Sequence, residues 1–166
     1  MISNELKAKA SKIKLVVTDI DGVWTDAKMY YTGTGEFIKA FSTYDGIATY
    51  LLKEAGIPTA IITGENSPPV AARAKKLKLK DVFLGIDDKL AVFETLLDKY
   101  KLTPDQVAYI GDDVNDYTVM QVAGLTASPS STPAFHILKP DILLDRVGGD
   151  GAFREFADII LAAQDQ

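Results

Sequence analysis

The sequence predicts an α/β fold with a central parallel sheet flanked by helices. Short β-rich apolar runs recur along it: "KLVVT" (14–18), "IPTAIITG" (57–64), "DVFLG" (81–85) and "QVAYIGDD" (106–113). Segments with apolar residues at helical spacing lie between them. Strand alternating with helix implies a parallel sheet. The first run is continuous rather than alternating, as in a strand covered on both faces.

The elements follow in order. After the first strand, "MYYTGTGEFIKAFS" (29–42) reads as two short strands around a Gly-Thr-Gly turn, a hairpin. "YDGIATYLLKEAG" (44–56) predicts a helix closed by Gly56. "PPVAARAKKLKL" (68–79) opens on prolines, which suit the first turn of a helix. "DKLAVFETLLDKY" (88–100) and "NDYTVMQVAG" (115–124) predict two more helices, and "GAFREFADIILAAQ" (151–164) a last one.

The 166 residues suit a single domain, 1–166, and 47% apolar content provides for a packed core. A net charge of −5 argues against nucleic-acid or anionic-membrane partners. It also requires a local cation wherever an anionic substrate binds. The absence of cysteine excludes disulfides and thiolate metal sites. "MISNELKAKASKIK" has no apolar h-region, and no apolar run reaches membrane-spanning length. A soluble, cytoplasmic protein is expected.

In an open parallel α/β sheet, ligands gather beyond the carboxyl ends of the strands. The polar residues there are Asp19 and Asp21, Thr63, and Asp112 and Asp113, with Lys89 opening a helix just after a third strand. Clustered carboxylates at one sheet edge need a cation. Oxygen ligands without Cys or paired His favour a hard ion, Mg²⁺. Lys and Thr suit phosphoryl oxygens. Asp19, directly off its strand, can act as a nucleophile that forms an aspartyl-phosphate. Asp21 can serve as general acid and then general base. A calcium loop from Asp19 is disfavoured, because Trp24 and Tyr30 occupy the positions that would need Gly and Glu.

"DIDGVWTD", "ITG", Lys89 and "YIGDDVND" resemble, in order, the four motifs of haloacid-dehalogenase-type phosphatases. "GGDGAFREF" narrows the resemblance to the 3-deoxy-D-manno-octulosonate (KDO) 8-phosphate phosphatase family and its 2-keto-3-deoxynononate (KDN) 9-phosphate relatives. The resemblance implies a Rossmann-like core without a separate cap domain. It implies that Asp19 is nucleophile and metal ligand, and that Asp21 is acid/base and offers its backbone carbonyl to Mg²⁺. Asp112 is implied as a metal ligand, Thr63 and Lys89 as phosphoryl-holding residues, and Asp113 and Asp116 as outer support. It also implies a homotetramer in which the hairpin (29–42) and the tail (148–155) help enclose a neighbour's site.

The sugar acid would meet the loop containing Ser42, Thr43 and Asp45, with Gly64 and Glu65 after the second strand. Octulosonate phosphatases usually read Thr-Gly-Arg where this chain reads "TGEN". Glu65 there resembles the nine-carbon branch, with Lys76 its expected partner and Arg73 a candidate for the substrate carboxylate. The family's Asp-x-x-Gly-Ile pattern is altered, since Asp45 is followed by Gly-Ile-Ala-Thr. The alternatives are a receiver-like phospho-acceptor domain and a broad-specificity sugar-phosphate phosphatase.

Overall fold

The computed structural model describes residues 3–164, and the side chains of all of these except Phe37. The chain begins with α1 (Asn4–Ala10), β1 (Leu15–Thr18) and a hairpin of β2 (Tyr30–Thr32) and β3 (Gly35–Ile38). It continues through α2 (Thr43–Glu54), β4 (Thr59–Ile62), α3 (Pro68–Lys76), β5 (Asp81–Phe83) and α4 (Lys89–Tyr100). Then come β6 (Val107–Ile110), α5 (Tyr117–Met120), β7 (Leu125–Ser128), α6 (Phe135–Leu138), β8 (Ile142–Leu143) and α7 (Ala152–Gln164).

Six strands form one parallel sheet in the order β5-β4-β1-β6-β7-β8, and the hairpin stands apart as a two-stranded antiparallel unit. The spatial order reverses between β1 and β6, where Val17 registers with Tyr109 and Thr18 with Ile110. That reversal opens the crevice in which ligands of doubly wound sheets bind.

The strands are apolar on both faces because both faces are covered. In β1, Val16 packs with Ile20, Trp24, Leu52, Phe153 and Phe156 on one side. Leu15 and Val17 point the other way, to Phe93, Leu96 and Tyr109. This is the period-two alternation of strand side chains, with each direction ending in its own helical layer. Gly56, at φ +78°, closes α2, a left-handed position that glycine fills without strain.

Four elements carried no readable signal. β7 (Leu-Thr-Ala-Ser) and the two-residue β8 lack the β-rich apolar run that marks β1, β4, β5 and β6, and α6 has four residues, too few for a helical period. α1 has one fully buried side chain, Ala10, and so no apolar stripe. The helix expected over 115–124 is shorter, a 3₁₀ turn at Val114–Asp116 followed by α5. Among the described residues no helix is long and apolar enough to cross a membrane.

The segment 148–155 is not a free tail. Gly148 N–H donates to Ser131 Oγ at 3.0 Å and Gly149 N–H to the Val23 carbonyl at 3.0 Å. A Cβ on Gly148 would lie 1.9 Å from the Gly22 carbonyl oxygen. The two glycines therefore let this segment lie flat on the chain's own Asp19–Asp26 loop before α7 begins. Trp24, in that loop, packs on Phe153 of α7 with ring centroids 5.1 Å apart and donates its Nε1–H to Thr18 Oγ1 at 3.0 Å. Trp24→Ala is expected to cost about 3–5 kcal/mol of stability, measured by urea unfolding, because it empties a fully buried site and takes away the donor that Thr18 Oγ1 accepts from.

Candidate active site

Asp19 follows β1 directly, and its N–H donates to the Ile110 carbonyl of β6 at 3.0 Å, so it sits at the reversal point. Its side chain is buried; Oδ1 accepts the Ile20 N–H at 2.7 Å and Oδ2 lies 2.8 Å from Lys89 Nζ. Lys89 opens α4 and is itself buried, reaching Asp116 Oδ1 at 2.7 Å. Asp116 is fully enclosed. Oδ1 also accepts the Tyr109 hydroxyl, and Oδ2 accepts the N–H groups of Asp112 at 2.8 Å and Asp113 at 3.3 Å. Both of its oxygens are thus occupied by donors, which suits holding Lys89 and the Asp112 backbone in place.

Two glycines make this packing possible. A Cβ on Gly111 would sit 2.4 Å from Asp116 Cγ. A Cβ on Gly22, at φ +82°, would sit 1.8 Å from Asp112 Oδ2. Gly111→Ala is expected to lose at least about 1–3 kcal/mol by overpacking and to displace Asp116. A thermal melt with a parallel activity assay would show both losses together.

The carboxylates of Asp19, Asp112 and Asp116 each place an oxygen within 4.8 Å of the others. At an effective dielectric of 20, each pair of charges that close repels by roughly 3 kcal/mol. Lys89 is the one cation touching them among the described residues. The imbalance appears in their proton affinities. Burial, then Asp116, pushes Asp19 up to about 7 against the pull of Lys89. Burial, then Asp19, Asp116 and Asp113, pushes Asp112 up to about 8. Burial works against the Lys89 ammonium, but Asp19 and Asp116 outweigh it and hold Lys89 above the ordinary lysine value. Three buried carboxylates facing one ammonium lack the charge of a divalent ion, and all the donors are oxygens. The donor set therefore fits a hard divalent cation.

Above this cluster lies a cleft of about 310 Å³, lined by Asp19, Asp21, Thr63, Gly64, Glu65, Asp112, Asp113 and by Met29 of the hairpin's approach. Seven of the expected site residues thus share one cleft, with Lys89 and Asp116 bracing Asp19 and Asp112. The other five stand elsewhere. Ser42 caps α2, accepting the Tyr44 N–H at 3.2 Å. Thr43, Arg73 and Lys76 line a separate groove between α2 and α3. Asp45 is buried against α7, where Oδ1 accepts the Arg154 N–H at 2.9 Å. Gly151, just before that helix, has no side chain to do this. Burial raises Asp45 to about 6, against the pull of the Arg154 and Gly151 amides.

The expected Glu65–Lys76 pair is absent from the ion pairs of the described residues. α3 explains why, since Lys76 lies eight residues beyond Pro68, about 12 Å along the axis. Arg73 is likewise turned away from the cleft. Its guanidinium donates to the Ser42 carbonyl at 3.3 Å and lies over the Phe41 ring.

The haloacid dehalogenase-like hydrolase family matches residues 40–124. The 3-deoxy-D-manno-octulosonate 8-phosphate phosphatase KdsC of Escherichia coli BL21-DE3 is 36% identical over 98% of this chain and 87% of its own length. The crystal structure of the Yersinia pestis 3-deoxy-D-manno-octulosonate 8-phosphate phosphatase superposes with a TM-score of 0.95, at 36% identity over 99% of this chain and 89% of that one. The Moraxella catarrhalis phosphatase, solved with magnesium, phosphate and KDO, gives 0.93 at 37% identity, over 99% and 94%. The chain belongs to the haloacid dehalogenase-like hydrolases, within their 3-deoxy-D-manno-octulosonate 8-phosphate phosphatase group.

The charge imbalance predicts a pH signature. Asp19 and Asp112 have folded-state values above their ordinary ones, so their contribution to stability is complete below about pH 4 and is lost as pH rises through about 7 to 8. In EDTA at pH 8.5, Asp112→Asn is expected to melt above the wild type by at least about 2–4 °C, the shift one kcal/mol gives a chain of this size. At pH 4 the difference should vanish. Added Mg²⁺ should raise the wild-type midpoint at pH 8.5 more than that of the variant.

Proposed function

We propose that the protein hydrolyses the phosphate monoester of a 3-deoxy-2-ulosonic sugar acid, KDO 8-phosphate first among them, through an aspartyl-phosphate on Asp19. The observation that carries this reading is the fixed Asp19 carboxylate at the floor of the cleft, one oxygen held by Lys89 and the other by the Ile20 amide. The E. coli and Yersinia relatives bear that substrate in their names, and the Moraxella relative was crystallised with magnesium, phosphate and KDO.

The residues divide the work. An Asp19 oxygen attacks phosphorus while the Thr63 hydroxyl and Lys89 hold the non-bridging oxygens. Asp21 protonates the departing sugar oxygen, then takes a proton from the water that hydrolyses the acyl-phosphate. Mg²⁺, held by Asp19, Asp112 and the Asp21 backbone carbonyl, supplies charge against the repulsion between carboxylate and phosphate dianion. Asp113 and Asp116 support that set from outside. Asp21 lines the cleft beside Asp19, and this separates the reading from a receiver-like acceptor, in which nothing should speed loss of the phosphoryl group.

The exposed Glu65 at the cleft rim supports a second reading, the nine-carbon KDN or sialic acid 9-phosphate. Its expected partner Lys76, like Arg73, lines a separate groove, so this reading requires a neighbouring subunit to bring basic side chains to the substrate. The exposed Tyr30 and Tyr31 of the hairpin, 51% and 63% accessible, suit such a contact. A cytoplasmic homotetramer acting on a small soluble substrate, without nucleic-acid or membrane partners, fits this acidic chain.

Phosphate release should be measured on KDO 8-phosphate, KDN 9-phosphate and a panel of simple sugar phosphates, with Mg²⁺ and with EDTA. The expected result is a preference of at least about 10-fold in kcat/KM for one ulosonate phosphate, the effect of 1.4 kcal/mol, and loss of activity in EDTA. Asp19→Asn should remove activity by a factor of about 10⁴ or more. Comparable rates across the panel would instead mark a broad sugar-phosphate phosphatase, and full activity of Asp19→Asn would rule out the mechanism.

A further inference from the structure

We propose that Lys39 is a positioning residue that aims the Asp21 carboxyl at the leaving group; this rests on the acid/base role given to Asp21 above. Lys39 follows β3, at the root of the hairpin, and its side chain is fully enclosed. An ammonium withdrawn from water needs partners. It has two: Asp21 Oδ1, to which it donates a hydrogen bond, and Glu36 Oε1 at 2.9 Å. Glu36 Oε2 in turn accepts the hydroxyl of Ser67. Ser67 stands at the N-cap of α3 yet makes no side-chain bond to its own helix. Serine at that position ordinarily caps, so its diversion to Glu36 breaks a local rule at the edge of the site.

The series Ser67–Glu36–Lys39–Asp21 ties one cleft carboxylate to the hairpin and to α3. Lys39 is Asp21's sole side-chain hydrogen-bond partner among the described residues. Lys39 does not itself line the cleft, and Glu36 matches its charge, so it is not arranged to receive phosphate. What it does is hold Asp21 Oδ1 and leave Oδ2 for the proton. In the first step an Asp19 oxygen bonds to phosphorus and the phosphorus–ester oxygen bond breaks. The ester oxygen takes the proton from Asp21 Oδ2 and leaves as the alcohol, and Asp21 remains as a carboxylate beside Lys39.

This role has a signature that simple structural support lacks. A sugar alkoxide leaves only when protonated, whereas p-nitrophenolate leaves unaided. kcat/KM reports only the steps up to phosphorylation of Asp19, so it is blind to the later attack of water. It should be measured for KDO 8-phosphate and p-nitrophenyl phosphate on the wild type, Asp21→Asn, Lys39→Met, Lys39→Arg and Glu36→Gln, with thermal midpoints to establish folding. Asp21→Asn and Lys39→Met should each lower kcat/KM for the sugar ester by about 100-fold and for the aryl ester by less than about 3-fold. Lys39→Arg should recover most of the loss, and Glu36→Gln should fall between. Equal losses on both esters, or none, in Lys39→Met and Glu36→Gln would overturn the proposal while a selective Asp21→Asn keeps Asp21 as the acid. An unselective Asp21→Asn would remove Asp21 from that role, and Lys39's with it.

Discussion

Three carboxylates and one ammonium share a space a few ångströms across beneath the surface, and much of the structure serves to keep them there. Burying an ion costs several kcal/mol even after relaxation, and like charges at this spacing add to it. The sheet supplies the rigidity. β1 and β6 are buried along their whole length and registered to each other, so the residues that leave their ends cannot move apart. Lys89 is delivered by the first residue of α4, and Asp116 by the short turn after β6. Both pin the cluster from below, and the cleft opens above it.

A site built this way works against the fold that holds it. Without a cation, burial and neighbouring carboxylates hold the protons on Asp19 and Asp112 to about pH 7 and 8, well above where an exposed aspartate gives its proton up. The same imbalance is useful chemically. A divalent cation and a phosphoryl group bring opposite charges to one point, and the cluster is prepared for both before either arrives. Flexibility is kept away from this point. The Trp24–Phe153 contact and the close seating of Gly148 on Gly22 lock the loop between Asp19 and Asp26 to α7. Among the described residues, Lys39 at the root of the hairpin is the one side chain hydrogen-bonded to the Asp21 carboxylate.

Much of this could be read from the chain, for one reason. In a parallel sheet the order of strands decides which residues meet, and each of Asp19, Thr63 and Asp112 follows a strand marked by its own apolar run. Lys89 was legible because it opens a helix with a clear period. What escaped depends on contacts that no period encodes. Asp116 is marked as outer support only by the family resemblance, and by itself it looks like a turn residue in "DDVND"; its complete burial and four bonds were not legible. Lys39 directly follows the second hairpin strand, where a lysine ordinarily faces water; only the packing beside Asp21 and Glu36 encloses it. Asp45 was expected to face substrate but supplies the cap that Gly151 cannot. Lys76 is the expected partner of Glu65 and Arg73 a candidate for the substrate carboxylate, and the course of α3 places both in a separate groove.

The account turns on covalent chemistry at one carboxylate. Borohydride reduces an acyl-phosphate to an alcohol, so quenching the enzyme with it during turnover of KDO 8-phosphate should convert Asp19, and no other aspartate, to homoserine, as read by peptide mass. An unmodified Asp19 in enzyme quenched during steady turnover, or homoserine at Asp21 or Asp112 instead, would contradict it.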